Sequence, residues 1–300
     1  MSNCSIHCAR VLRESSIRST PLHTNLSRDT QAKPSAPPIG QPLIIGHRGA
    51  SAAAPENTIA AFARALSDGA EGIEFDVRLA QDGIPVVIHD STLKRTALRE
   101  GLVSEFSSTQ VTRMDAGSWF NRKYPQFARA DYSLESVPTL KRLFDVLADT
   151  AALLYLELKS DDAEGETLAT AVIKLIKRYS LRQRVIVESF DLTSLETVKR
   201  LDASMRTAAL FEPSRRPVSL LRKMKMVTLA KRCGAEEIAL HHTLVSRRLV
   251  EQARQHNLQT VVWTVDNPAW MQRARSLGIK ALITNQPAKM ASLRNAPRVD

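Results

Sequence analysis

In "EGIEFDVRL", residues 71–79, two carboxylates stand two positions apart inside an otherwise apolar run. Side chains alternate along a strand, so Ile73, Phe75 and Val77 share one face while Glu74 and Asp76 share the other. Residues at this spacing lie roughly 6.6 Å apart at Cα, so both carboxylates can bend toward one hard cation. If the apolar face packs against helices the acids point inward, where a divalent ion offsets the cost of burying them unpaired. The alternative is an exposed edge with solvated acids.

The same pattern recurs in "LLYLELKS", residues 153–160. Leu156 and Leu158 form one face, and Tyr155, Glu157 and Lys159 the other. Glu157 is a candidate third oxygen ligand and Lys159 a point charge for an anionic oxygen, although a plain Glu/Lys salt bridge would use the same residues. In "AQDGIPVVIHD", residues 80–90, Asp82-Gly83 marks a two-residue hairpin. Pairing Gln81 with Ile84 and counting outward sets His89 directly opposite Asp76, beside the proposed ion.

A first strand ending in "GHRG", residues 46–49, adds an imidazole that titrates near neutrality and a guanidinium fork that fits two phosphate oxygens. Gly46 and Gly49 are expected to let the backbone turn sharply and a ligand approach closely. On its own a His-Arg surface turn is common.

These segments need a scaffold that gathers them. From Leu43 onward, candidate strands at 43–46, 71–78, 152–158, 184–188, 206–210, 237–240, 260–264 and 280–283 alternate with segments of helical period at 58–68, 139–149, 165–178, 192–202, 218–233, 246–256, 268–276 and 287–293. In the first of these helices Ile59, Phe62, Ala63 and Leu66 form one buried face, and Asn57 can cap the start. Eight strand–helix units predict an α/β fold, a (β/α)₈ TIM barrel, whose chemistry sits at the carboxyl ends of the strands. No Gly-rich phosphate fingerprint follows the first strand, which argues against a dinucleotide-binding doubly wound sheet. Residues 90–138 break the alternation and read as an insertion after the second strand, structured by Trp119, Phe120, Tyr124 and Phe127.

The chain has 300 residues, 43% of them hydrophobic, enough for one such barrel over residues 42–300. Residues 1–41 are rich in Ser, Arg, Thr and Pro without a hydrophobic period and read as a disordered leader. Their Arg-rich, acid-poor character is also that of an organelle transit peptide; a floppy tail is the simpler reading. No secretory h-region or membrane-length apolar stretch is visible, and Cys4, Cys8 and Cys233 are too few and scattered for a disulfide framework or zinc site, so the expected location is cytoplasmic. The net charge of +11 favours anionic partners. Only 5% of residues are aromatic, which leaves no stacking platform and argues against a specific nucleic-acid partner.

The run "GHRGASAAAPENTIAAFARALSDGAEGIEFDVRLAQDGIPVVIHDSTLKRT" resembles the signature of the glycerophosphodiester phosphodiesterase family. The resemblance continues through "WF", "VPTL", "LELK", "ESF" and "VVWTVDN" to "LITNQP" and spans roughly residues 43–290. It implies a TIM barrel with one divalent cation, Ca²⁺ or Mg²⁺, that hydrolyses glycerophosphodiesters to an alcohol and glycerol 3-phosphate. By the same resemblance His47 and His89 are the catalytic histidines and Glu74, Asp76 and Glu157 the metal carboxylates. Arg48, Glu56 and Lys159 support the phosphate and the histidines, and Trp263 lies at the pocket mouth. Two positions depart from the pattern: Ala80, where a Thr often precedes the "DG" turn, and Asn285, where the last strand often ends in Asp.

Which histidine is acid and which base, and whether water or the substrate's 2-hydroxyl attacks, are open at this level. An alternative keeps the site and makes the chain a lysophospholipase D acting on lipid-tailed diesters. Residues 206–232 carry eight basic side chains against the single acid Glu212, which would suit peripheral contact with an anionic membrane. A barrel helix with an apolar inner face and a basic outer face explains the same composition.

Overall fold

The computed structural model describes residues 40–160, 164–213 and 220–296, with the side chains of 220–224 left aside. Most of the proposed leader, the middle of the basic stretch 206–232, and Cys4 and Cys8 therefore lie outside the described residues.

Alternation of apolar and polar residues builds the sheet as expected. Its strands are β1 (Leu43–His47), β2 (Gly72–Leu79), β3 (Pro85–Val87), β4 (Leu153–Leu158), β5 (Val185–Ser189), β6 (Arg206–Phe211), β7 (Glu237–His241), β8 (Gln259–Trp263) and β9 (Ala281–Thr284). All but β3 are parallel, and a β1–β2 pairing closes the order β1-β9-β8-β7-β6-β5-β4-β2 into an eight-stranded barrel. Ile44, Ile73, Phe75, Val77, Leu154 and Leu156 point outward into the layer shared with the helices. Ile45, Tyr155, Ile186, Ala208, Val261 and Ile283 fill the barrel. Between the strands run helices such as Ile59–Ser67, Leu140–Leu147, Gly165–Arg178 and Arg247–Gln255, each burying one apolar face. In the first, Ala61, Phe62 and Ala65 are the buried residues, with Ile59 and Leu66 half-buried at their edge and Ala63 outside the packed core, because the face is rotated from the expected one.

The first helix is capped differently from the expectation. Thr58, not Asn57, accepts the Ala61 N–H, at 3.2 Å. Asn57 adopts a left-handed φ of 58° and turns its amide into the barrel mouth. The tight "GHRG" turn also has a different cause. A Cβ on Gly49 (φ +84°) would sit 2.5 Å from the Ala61 carbonyl carbon, and one on Gly46 would sit 2.7 Å from the Ala65 Cβ. These glycines let the turn pack against the first helix rather than admit a ligand.

The hairpin register is one residue away from the expectation. Arg78 pairs with Val86 and Leu79 with Pro85, and Ala80 N bonds Ile84 O. The turn thus holds three residues, Gln81, Asp82 and Gly83, with Gly83 at φ +73°. Ile88 rather than His89 comes level with Asp76, whose carbonyl accepts the Ile88 N–H at 3.0 Å. The longer loop is the Gly-ended three-residue kind, which "DG" specifies as readily as the two-residue kind.

Between β3 and the helix Leu140–Leu147, where the insertion is expected, run short helices whose Leu93, Val103, Val111 and Val137 share a core with Val86 of β3. Trp119 and Phe120 are buried, joined by Tyr132, and Tyr124 packs at their edge. Phe127, expected in that cluster, is instead 46% exposed, the last residue of a 3₁₀ turn, Pro125–Phe127, that buries none of its side chains. In the basic stretch, the helix Leu220–Arg232 buries Met226, Val227 and Ala230 against the barrel and exposes Lys225, Lys231 and Arg232. Among the described residues no helix is long and apolar enough to cross a membrane.

Candidate active site

The mouth of the barrel forms where β1 stops and β2 continues. His47 ends β1 level with Glu74, and further along β2 Asp76 pairs with Glu157 of β4, which pairs in turn with Glu188 of β5. Strand alternation turns Glu74, Asp76 and Glu157 inward, each at most 7% exposed. Their carboxylate oxygens lie within 4.8 Å of one another, close enough to share one cation.

Three buried acids at that spacing repel. Burial and the neighbouring Asp76 charge push the Glu157 carboxyl up to about 8, and the same two causes raise Glu74 well above the usual range. Asp76 is displaced the other way: burial would raise it, but Arg48 and Lys159 hold it below the ordinary carboxylate range. Asp76 Oδ1 and Glu157 Oε1 are buried without a well-aligned hydrogen bond, close to each other and with the Lys159 ammonium at 3.5 and 2.7 Å. Orphaned hard oxygens converging from two strands fit an oxygen-seeking divalent ion such as Ca²⁺ or Mg²⁺.

Asn57 Nδ2 donates to Asp76 Oδ2 at 2.9 Å and fixes that carboxylate's rotamer. The Arg48 backbone N–H, presented by a left-handed residue at φ 55°, donates to Glu74 Oε2 at 2.9 Å. The Arg48 guanidinium spans Glu56 (2.7 Å) and Asp76 (3.2 Å). Glu56 is also gripped by both terminal nitrogens of Arg95, whose Nε holds Asp90 at 2.6 Å.

The two imidazoles have different partners. Asn285 Nδ2 donates to Asp266 Oδ2 at 2.7 Å, which sets the direction of the amide. Asn285 Oδ1 then accepts from Ser51 Oγ at 2.8 Å and from His47 Nδ1–H at 2.7 Å. The ring is thereby held with Nε2 unprotonated, 3.9 Å from Glu74 Oε2. Burial, with Arg48 adding to it, lowers His47 to about 4, so the ring is neutral at pH 7. His89 Nδ1 instead meets the Asp90 carboxylate at 2.6 Å. Arg78 Nε fixes the His89 carbonyl at 2.7 Å, and Arg78 Nη1 reaches that of Lys159 at 3.5 Å.

His47, Arg48, Glu74, His89, Glu157, Lys159 and Trp263 all line one cavity of about 530 Å³, with Glu188, Phe190 and Leu210 completing its wall. A neighbouring cavity of about 340 Å³ also borders His47 and Arg48, and is walled by Glu56, Trp119, Tyr124 and Phe127. Trp263 stands at the mouth edge-on to Phe190, with centroids 5.5 Å apart.

Two carboxylate-rich strand ends, an Arg-Lys pair and two oriented imidazoles are groups that could bind an anionic ester and move protons on it. The profile of the glycerophosphoryl diester phosphodiesterase family matches residues 47–289. This chain belongs to that family. A glycerophosphodiester phosphodiesterase of Caldanaerobacter subterraneus subsp. tengcongensis is 35% identical over 251 residues, 84% of this chain and 97% of that one. The crystal structure of a glycerophosphodiester phosphodiesterase from Agrobacterium tumefaciens superposes with a TM-score of 0.69 at 26% identity, covering 84% of this chain and 99% of that one. A phosphodiesterase from Oleispira antarctica, solved with its product sn-glycerol-3-phosphate, has a TM-score of 0.75 over 85% of this chain and 98% of that one. Its 24% identity speaks to the fold alone.

Seven of the nine residues expected from sequence line the larger cavity; Asp76 stands beside Glu74 and Glu157, and Glu56 holds Arg48 from the neighbouring cavity. His89 arrives there from beyond the end of β3, not by the cross-strand pairing first expected. The residues missed were those that hold others in place: Asn57, Arg78, Asp90, Arg95 and Asp266. Asn285, seen only as a departure from the family pattern, is the direct partner of His47. Asp90 had a local signal, its adjacency to His89, and Arg95 reaches Asp90 from five positions away; the other contacts span 11 to 238 positions and depend on the hairpin and on strands and loops meeting at the barrel mouth.

Proposed function

We propose that this protein hydrolyses glycerophosphodiesters to an alcohol and sn-glycerol 3-phosphate with the help of one divalent cation. The observation that carries this reading is the convergence of three buried carboxylates, two cationic side chains and two imidazoles on one cavity. Glu74, Asp76 and Glu157 would hold the ion, which supplies Lewis-acid polarisation of the phosphoryl group.

Arg48 and Lys159 receive the phosphate and offset the charge that grows on its oxygens in the transition state. Their own carboxylate partners, Glu56, Asp76 and Glu157, keep both cations aimed at the cavity before substrate arrives. The partners of the two imidazoles divide the acid–base work. His47, neutral and with its Nε2 lone pair facing the cavity, takes the proton of the nucleophile. Burial lowers His89 as well, but the nearby Asp76 charge and the Asp90 carboxylate at its Nδ1 work against that lowering, and His89 protonates the departing alkoxide.

The test is release of the free headgroup alcohol, choline or ethanolamine, from glycerophosphocholine, glycerophosphoethanolamine and lysophosphatidylcholine by EDTA-treated protein, with Ca²⁺, Mg²⁺ or Mn²⁺ added back. Turnover of the two water-soluble diesters that depends on the added ion supports the reading. Turnover confined to lysophosphatidylcholine would replace it with a lysophospholipase D, and no turnover of any of the three would overturn it.

A further inference from the structure

Glu188 has no part in the chemistry above, yet it lies on the wall of the same cavity, one strand beyond Glu157. It is 1% exposed, and its Oε2 has no hydrogen-bond partner. After burial itself, the largest electrostatic influences on it are all acidic, Glu74, Glu157, Glu237 and Asp76. It is not one of the three carboxylates whose oxygens lie within 4.8 Å of each other. The same cavity wall also carries the apolar Phe190, Leu210 and Ile283 and a further acid, Glu212. A buried acceptor left unpaired is destabilising unless something arrives to use it.

Strand geometry indicates what that is. A phosphate held by Arg48 just past β1 and by Lys159 just past β4 has β5 as the next wall, about 4.8 Å further round the barrel. A three-carbon chain leaving that phosphate toward β5 brings its far end, not its 2-position, to Glu188. An acidic surrounding repels a second anion and welcomes a donor. On the reading of the site as a glycerophosphodiesterase, we propose that Glu188 accepts a hydrogen bond from the terminal hydroxyl of the substrate's glycerol half and so selects for a glycerol diester.

The comparison substrate is the 3-deoxy analogue, propane-1,2-diol 1-phosphocholine, which keeps the 2-hydroxyl and the leaving group and lacks only the terminal hydroxyl. The readout is the ratio of kcat/KM for glycerophosphocholine to that for the analogue. For the unmodified enzyme we expect about 10 to 100, the worth of one buried hydrogen bond. In Glu188→Met, which keeps the volume and removes the acceptor, the ratio falls to about 1 to 3, while Glu188→Gln, whose amide oxygen still accepts, keeps most of it. A structural role for Glu188 makes the Met variant less stable. A binding role makes it as stable as the parent or more so, because an unpaired buried carboxyl has been removed. Should the Met variant not fold, Glu188→Leu and the Gln variant are read by the same ratio.

A ratio that stays at its original value in the apolar variants, or that is already near 1 in the unmodified enzyme, overturns the inference while leaving the phosphodiesterase reading intact. So does an apolar variant that instead needs tenfold more cation for half-maximal activity, which would make Glu188 a metal ligand. Failure of the unmodified enzyme to cleave either substrate would fall on the phosphodiesterase reading itself.

Discussion

Asn285 and His47, 238 positions apart in the chain, are joined by a 2.7 Å hydrogen bond that determines which nitrogen of the imidazole faces the substrate. The amide cannot flip, because its nitrogen is needed by Asp266. Asn285→Leu should therefore lower kcat roughly 10- to 100-fold with a smaller effect on KM, the size expected for losing an orienting partner. Steady-state kinetics on glycerophosphocholine would show it. A kcat within twofold of the parent would mean that His47 is oriented by its packing alone.

Glu157 is displaced upward because it is buried beside Asp76 with too little positive charge to compensate both. Glu157→Gln should abolish most cation-dependent turnover, by at least about 100-fold, without lowering the melting temperature of the metal-stripped protein. Calorimetric titration with Ca²⁺ and Mg²⁺ in parallel with thermal melts checks both halves. A large loss of stability with retained cation affinity would show that the acid serves the fold instead.

The same displacement gives a pH dependence with a definite sign. The Glu157 carboxyl of the folded, metal-free protein holds its proton up to about 8, whereas the unfolded chain releases it near 4.5. Between those values the folded state binds more protons, so this group's contribution is fully present below pH 4.5 and is lost as the pH rises toward 8. The metal-stripped protein should melt several degrees lower at pH 8 than at pH 5, and saturating cation should remove most of the difference by drawing the protons off. A stripped protein more stable at pH 8 would contradict the assigned burial of this acid.

Gly49 couples the site to the first helix, since any Cβ there would overlap the Ala61 backbone and φ is +84°. Gly49→Ala should destabilise the protein by at least about 2 kcal/mol and move His47 and Arg48 together. Urea denaturation measures the first effect. A change below about 0.5 kcal/mol would show that the turn relaxes freely.

The legibility of this molecule follows the range of the interactions involved. The carboxylate pair in "EGIEFDV" was readable because a strand's two-residue alternation is a local rule, and so were the barrel strands and the apolar faces of their helices. The hairpin was readable only to within a residue, because "DG" fits both two- and three-residue turns and nothing in ten residues of sequence distinguishes them. Asn57 looked like a helix cap because capping and site-lining use the same residue types; only the barrel's closure brings Asp76 within 2.9 Å of it. Asp266, Arg95 and Arg78 were invisible for the same reason: each acts through a partner supplied by a different element.

The central claim is that five side chains from four segments serve one cation and one phosphate. It is tested most directly by measuring glycerol 3-phosphate release from glycerophosphocholine by the EDTA-treated protein, His47→Ala and His89→Ala, before and after Ca²⁺ or Mg²⁺ is restored. The account predicts turnover that disappears with EDTA and returns with the ion in the parent, and falls at least about 100-fold in each histidine variant while both melt within a few degrees of the parent. Full activity in EDTA, or near-parental activity in either variant with the ion present, would contradict it.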